Sequence, residues 1–138
     1  MQNEATIGGI IVGGQPDAAD IASGRYANII NCRPADEAGN VTEELVRGTG
    51  ITYTSIPFTG DTLSTTHVDE MRSVLDKATG VTLVHCQGGT RAAVAVAIVL
   101  AERAGQGADD VVNAIETAGF DIKDRPYEAF INSYFAKG

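Results

Sequence analysis

Ala92 to Ala101 is an unbroken run of ten apolar residues, with no position that offers water a polar face. A helix that is apolar all round must be covered on every side. Ten residues are also only about half of what a bilayer span requires. The run is therefore read as part of a helix, Ala92 to Ala104, enclosed within a soluble protein. Directly before it stand an apolar strand, Val81 to His85, and the short loop "CQGGTR". A strand that feeds straight into a buried helix is the repeating unit of an α/β fold, and the rest of the chain must supply the cover.

The remaining pattern agrees with that demand. Ile10 to Gly13 is a short apolar strand ending in Gly13-Gly14. Pro16 suits the first turn of a following helix and Gly24 its C-terminal cap. Ala27 to Cys32 reads as a buried strand closed by Arg33-Pro34. A weak helix, Thr42 to Arg47, leads through Gly48 and Gly50 to a strand at Ile51 to Ile56. Thr65 or Thr66 caps a helix in which Val68, Met71, Val74 or Leu75, and Ala78 recur at helical spacing. Helices at about Ala108 to Ala118 and Pro126 to Phe135 complete the chain. In the second of these, Tyr127, Phe130, Tyr134 and Phe135 share one face, which is expected to pack on the core.

No repeat or linker interrupts the sequence, so residues 1–138 are expected to form a single domain. The predicted class is α/β, with a mostly parallel sheet of four to five strands and helices on both faces. In such sheets ligands bind outside the carboxyl ends of the strands. Gly13-Gly14-Gln15, Cys32-Arg33, Phe58 to Asp61 and Cys86 to Arg91 all follow strand ends, so they should gather at one edge.

Charge and cysteine usage narrow the function classes. With 18 acidic and 10 basic residues the net charge is −8, which disfavours nucleic acid and anionic membranes as partners. An anionic substrate then needs local cations. Two cysteines without a Cys-x-x-Cys spacing make neither a disulfide framework nor a zinc knuckle. No signal peptide is evident at the start, and a cytoplasmic location is expected. The two histidines, His67 and His85, lie far apart with no acidic spacing pattern, so neither a catalytic metal nor another cofactor is expected.

The chemistry concentrates in Cys86-Gln87-Gly88-Gly89-Thr90-Arg91. A cysteine reacts as the thiolate, and a helix N-terminus favours that form through unpaired N–H groups and the dipole. Gly88 and Gly89 permit positive φ, so that successive amides curl inward into an anion cradle opening onto the helix. Arg91 closes the cradle, because a planar guanidinium holds two phosphate oxygens at once. Each feature alone has an ordinary structural explanation; together in six residues they mark a site. That site requires a sulfur open to a cavity and an Arg91 within reach of an oxyanion.

These residues resemble the loop of cysteine-dependent phosphatases, whose pattern is His-Cys-x-x-Gly-x-x-Arg followed by Ser or Thr. Gly89 fits the glycine, but Arg91 comes one residue early and Ala92 replaces the hydroxyl residue. The shorter Cys-x4-Arg spacing resembles rhodanese-like sulfurtransferases. It also resembles the bacterial β-lactamase-hydrolase-like protein phosphatase-like family, with its dual-specificity-phosphatase-like fold and a loop similar to Cys-x-x-Gly-Thr-Arg. "GGQP" (Gly13 to Pro16), "NCRP" (Asn31 to Pro34), "IPFTG" (Ile56 to Gly60) and "HCQGGTR" (His85 to Arg91) match that family in order and position.

The resemblance implies a phosphatase acting on a phosphorylated small molecule or phosphoprotein, with Cys86 as nucleophile and Arg91 and the amides of Gln87, Gly88, Gly89 and Thr90 binding the phosphoryl group. Asp61, after the third strand, is the expected general acid, although it is equally at home in an ordinary Gly-Asp turn. Asp36 and Glu37 are the fallback acids. Arg33 is expected either to bind substrate or to pair with one of those acids, and Gln15 either to donate into the pocket or to start a helix. Cys32 is a buried structural cysteine or a resolving thiol for Cys86. His85 is expected to order the loop, and His67 to sit on a solvated turn. Thr90 can supply the hydroxyl that Ala92 lacks. The alternatives to hydrolysis are a persulfide carried on Cys86 and a module that binds an anion without turnover.

Overall fold

A computed structural model describes residues 1–123 and 125–136. Five strands form one sheet in the order β1-β2-β5-β3-β4: β1 (Ala5–Ile7), β2 (Ile10–Gly13), β3 (Asn28–Asn31), β4 (Thr52–Ser55) and β5 (Thr82–His85). The pairs β2·β5, β5·β3 and β3·β4 are parallel, and β1 alone runs antiparallel, hairpinned onto β2 through Gly8 and Gly9. The mostly parallel α/β architecture is as expected. The edge strand β1 is an addition: three residues ending at a glycine pair give too short a pattern to read.

Side-chain alternation along the central strands divides the core in two. Ile11, Ile29 and Leu83 face α1 (Ala18–Ala22) and α2 (Thr42–Val46), with Ile21 and Val46 between them. Val12, Ile30 and Val84 face α3 (Thr65–Lys77), α4 (Thr90–Arg103), α5 (Ala108–Thr117) and α6 (Tyr127–Phe135). Helix α4 lies across β1, β2 and β5 and is flanked by α3 and α5. This placement explains why Ala92 to Val99 are all buried. Parallel strands covered on both faces need apolar residues facing both ways, and Ile10-Ile11-Val12, Ile29-Ile30 and Leu83-Val84 supply them.

Helix ends depart slightly from expectation. α3 is capped by Ser64 rather than a threonine, and His67 Nδ1 accepts from the Ser64 amide at 3.0 Å. The His67 ring also stacks on Phe58 at 5.3 Å between centroids. His67 is thus half-buried capping and packing, not a solvated turn. α4 begins two residues early, at Thr90, because Gly89 adopts φ +102° and serves as its N-cap.

Strand β5 sits between β2 and β3, so the loops leaving those two strands flank the loop leaving β5. The flanking contact is close. Gly14 N–H donates to Gln2 O at 2.8 Å and Gln15 N–H to Gln87 O at 3.0 Å. A Cβ on Gly14 would fall 2.6 Å from the Gln87 carbonyl oxygen and 3.3 Å from that of Gln2. Both obstacles are backbone and cannot rotate away. Gly14→Ala is expected to lower the unfolding free energy in urea by about 2 kcal/mol, the cost of overpacking against a fixed wall.

Candidate active site

Cys86 directly follows the central strand β5, and its sulfur accepts the Gly89 N–H at 3.1 Å. The residue is 1% exposed, yet it floors an open cavity of about 440 Å³. Gln87, Gly88, Thr90 and Arg91 line that cavity with Gln2, Asn3, Arg125 and Tyr127. The loop carbonyls are tied elsewhere. Cys86 O accepts from His85 Nδ1 (3.1 Å), Gln87 O from the Gln15 amide, Gly88 O from Asn3 Nδ2 (2.8 Å) and Gly89 O from the Ala93 amide (2.9 Å). With these carbonyls engaged, the Gly89 N–H points at the sulfur at the head of α4, where a helix favours an anion.

Arg91 forms the opposite wall. Its guanidinium grips Glu37 in a two-pronged pair, NH1 to Oε2 at 3.0 Å and NH2 to Oε1 at 2.9 Å, and NH1 also donates to Phe58 O at 3.2 Å. Glu37 belongs to the loop after β3 and Phe58 to the segment after β4. The strand-end segments therefore converge on the cysteine loop through identifiable bonds. The Arg91 guanidinium holds the Glu37 carboxyl below its ordinary value; burial opposes this and Arg33 reinforces it. A carboxylate that stays charged keeps Arg91 in position.

Arg33 follows the second course expected of it and pairs with an acid. It is 2% exposed, with Nε on Glu37 Oε1 at 2.7 Å, NH1 on Gln15 Oε1 at 2.8 Å and NH2 on Ala38 O at 2.5 Å. It borders a neighbouring cavity with Gln15 and Asp17 rather than the one floored by Cys86. Asp61 is exposed in the turn that follows Phe58, close enough to the Tyr127 phenol to influence its titration. It does not line the Cys86 cavity. Asp36 is exposed.

Cys32 continues the β3·β5 register beside Cys86: Asn31 pairs with His85, and Cys32 N–H donates to His85 O at 2.8 Å. It is fully buried and both thiols are free. Burial first, and its neighbour Cys86 second, push the Cys32 thiol well up.

Tyr127, Arg125, Gln2 and Asn3 escape a reading of the sequence as site residues, because each reaches the cavity from a distant segment. The one available signal is the aromatic face of α6, whose first member, Tyr127, is buried and turned to the site. Burial raises the Tyr127 phenol, with Arg91 opposing. It therefore remains protonated and able to donate. Among the described residues, no group of three or more His, Cys, Asp or Glu side chains is arranged to hold a metal ion. No described helix is long and apolar enough to cross a membrane.

His85 is wholly buried. That burial, together with the Arg33 and Arg91 charges, lowers its pKa to about 4 against the opposing bond to Cys86 O. A histidine whose folded pKa lies below its unfolded 6.5 contributes stability that is complete above pH 6.5 and is lost as pH falls through about 4. Urea unfolding should therefore show a loss approaching 3 kcal/mol between pH 7 and pH 4. Glu37 adds to the loss below 4.5. His85→Gln should flatten most of the dependence above pH 4.5.

A thiol at the carboxyl end of the central parallel strand, faced across an open cavity by the half-buried Arg91, sits in a phosphatase-like α/β domain. Residues 8–103 match the family described as beta-lactamase hydrolase-like protein, phosphatase-like domain. The chain belongs to that family. It is 30% identical over 121 residues to a beta-lactamase hydrolase-like protein of Agrobacterium fabrum, covering 82% of this chain and 28% of that one. The chain thus spans little more than a quarter of the curated relatives it matches. In fold it is similar to a putative phosphatase from Neisseria meningitidis, with TM-score 0.78, 19% identity and coverage of 96% and 99% of the two chains. It is similar as well to the core catalytic domain of the PP-IP phosphatase SIW14 from S. cerevisiae in complex with citrate, with TM-score 0.75, 15% identity and coverage of 94% and 83%.

Proposed function

We propose that the chain hydrolyses phosphomonoesters through a phosphocysteine. The Cys86 sulfur attacks phosphorus, forming the S–P bond as the bond to the leaving oxygen breaks. Asp61, in the exposed turn after Phe58, supplies the proton that the leaving oxygen takes up. Water then attacks the phosphocysteine, the S–P bond breaks, and inorganic phosphate departs. The amides of the cysteine loop and the Arg91 guanidinium stabilise the charge on the equatorial oxygens, the dominant contribution in phosphoryl transfer.

One observation carries the reading: the Gly89 amide lies 3.1 Å from a sulfur that floors an open cavity walled by Arg91. Family membership and the phosphatases of similar fold support it. The rim formed by Arg125, Gln2 and Asn3 is polar and carries a second cation, which suits a substrate with a further negative group. Citrate in the yeast phosphatase of similar fold is a small polyanion of that kind.

The test offers purified protein an aryl phosphate and, separately, thiosulfate with cyanide. Phosphate release that disappears in Cys86→Ser and falls in Asp61→Asn is expected. Thiocyanate formation lost in Cys86→Ser, without phosphate release, would replace hydrolysis by sulfur transfer. Tyr127→Phe distinguishes the phenol from Asp61 as the proton source: a larger loss there than in Asp61→Asn reassigns that role.

A further inference from the structure

The segments "GGQP" and "NCRP" end the strands on either side of β5, and their polar side chains run behind the cysteine loop rather than into its cavity. Arg33 NH1 donates to Gln15 Oε1 (2.8 Å), and Gln15 Nε2 lies 2.7 Å from Thr42 Oγ1. Thr42 Oγ1 lies 2.9 Å from His85 Nε2, and His85 Nδ1 lies 3.1 Å from Cys86 O. Arg33, Thr42 and His85 are buried.

The direction of every bond in this chain is forced. A guanidinium only donates, so the Gln15 oxygen must face Arg33 and its NH₂ must face Thr42. The Thr42 oxygen accepts that N–H, and its own proton is left for His85 Nε2. A backbone carbonyl only accepts, so His85 carries its proton on Nδ1 and gives it to Cys86 O. One neutral tautomer satisfies all five groups; reversing any link leaves a buried donor facing a donor or an acceptor facing an acceptor. Bonds aligned head to tail polarise one another. The other side of Arg33 holds Glu37, which holds Arg91.

We propose that Arg33, Gln15 and Thr42 are positioning residues, forming a one-way relay that fixes the Cys86 carbonyl through His85 while the same buried cation fixes Arg91 through Glu37. One guanidinium thereby sets both the floor and the wall of the cavity. The proposal rests on the reading of Cys86 as the nucleophile. It gives Arg33 a task that does not touch substrate. It also explains why a glutamine and an arginine, rather than apolar residues that would pack as well, stand behind this loop.

Nitrogen-edited NMR of the unaltered chain tests the direction without any activity: the His85 ring should carry its proton on Nδ1 at neutral pH. A proton on Nε2 overturns the relay. The rate of Cys86 alkylation by iodoacetamide tests the consequence. Thr42→Val is expected to slow it roughly ten-fold, the size of effect seen when supporting partners of a reactive group are removed. Thr42→Ser, which keeps the hydroxyl, should recover most of the rate. Alkylation unchanged in Thr42→Val, or lost equally in Thr42→Ser, overturns the proposal. Gln15→Met breaks the same chain from a half-buried site and should repeat the slowing if Thr42→Val does not fold. A chain with the expected tautomer and alkylation pattern that hydrolyses no aryl phosphate leaves the relay standing and removes the phosphatase reading.

Discussion

Arg91→Lys is expected to cost about 10³-fold in kcat/KM for an aryl phosphate, within the range that a guanidinium contributes to phosphoryl transfer. The charge is retained, so a smaller loss would follow if charge alone mattered. Geometry argues otherwise. Arg91 places two nitrogens on the two oxygens of Glu37 at 2.9 and 3.0 Å, which orients the guanidinium plane at the cavity wall. A lysine ammonium is a point donor on a flexible stem and cannot hold Glu37 with two prongs while also holding a phosphoryl oxygen. Steady-state kinetics on folded variant measures the effect. The account expects kcat to carry most of the loss, because the clamp acts on charge that spreads in the transition state.

Removing the acid between the two arginines should be nearly as costly, but to the fold as well as to the rate. In Glu37→Ala, Arg33 is left 2% exposed with Gln15 and Ala38 O as its remaining side-chain partners. Loss of one partner from a buried ion pair costs about 3 kcal/mol, because the remaining charge has nowhere to be solvated. Urea unfolding should register that loss. Glu37→Gln, which keeps an acceptor, should recover part of the stability. Activity in both variants should fall further than stability explains, since Arg91 loses the group that aims it.

The sequence made the site's floor legible because its parts are contiguous: strand, cysteine, paired glycines, arginine and buried helix occupy one stretch, and each residue type has a physical reason there. The convergence of Gln15, Arg33 and Phe58 was legible too, since parallel strands bring their carboxyl ends to one edge. What stayed hidden depends on distant pairing. Thr42 opens a weak five-residue helix, and nothing local marks its hydroxyl as the partner of His85. Glu37 stood as one of two fallback acids, and only the loop path after β3 shows that it clamps two arginines. Asn3 holds the Gly88 carbonyl from the far end of the chain, and the Tyr127 phenol comes from the last helix. β1 was missed because three residues carry no period.

The role of Cys86 is tested most directly by quenching the protein with acid during turnover of an aryl phosphate and mapping its peptides by mass spectrometry. The account predicts one phosphoryl group on the peptide bearing Cys86, formed before free phosphate appears, and none in Cys86→Ser. Phosphate released at an undiminished rate by Cys86→Ser, with no adduct on the unaltered protein, would contradict it.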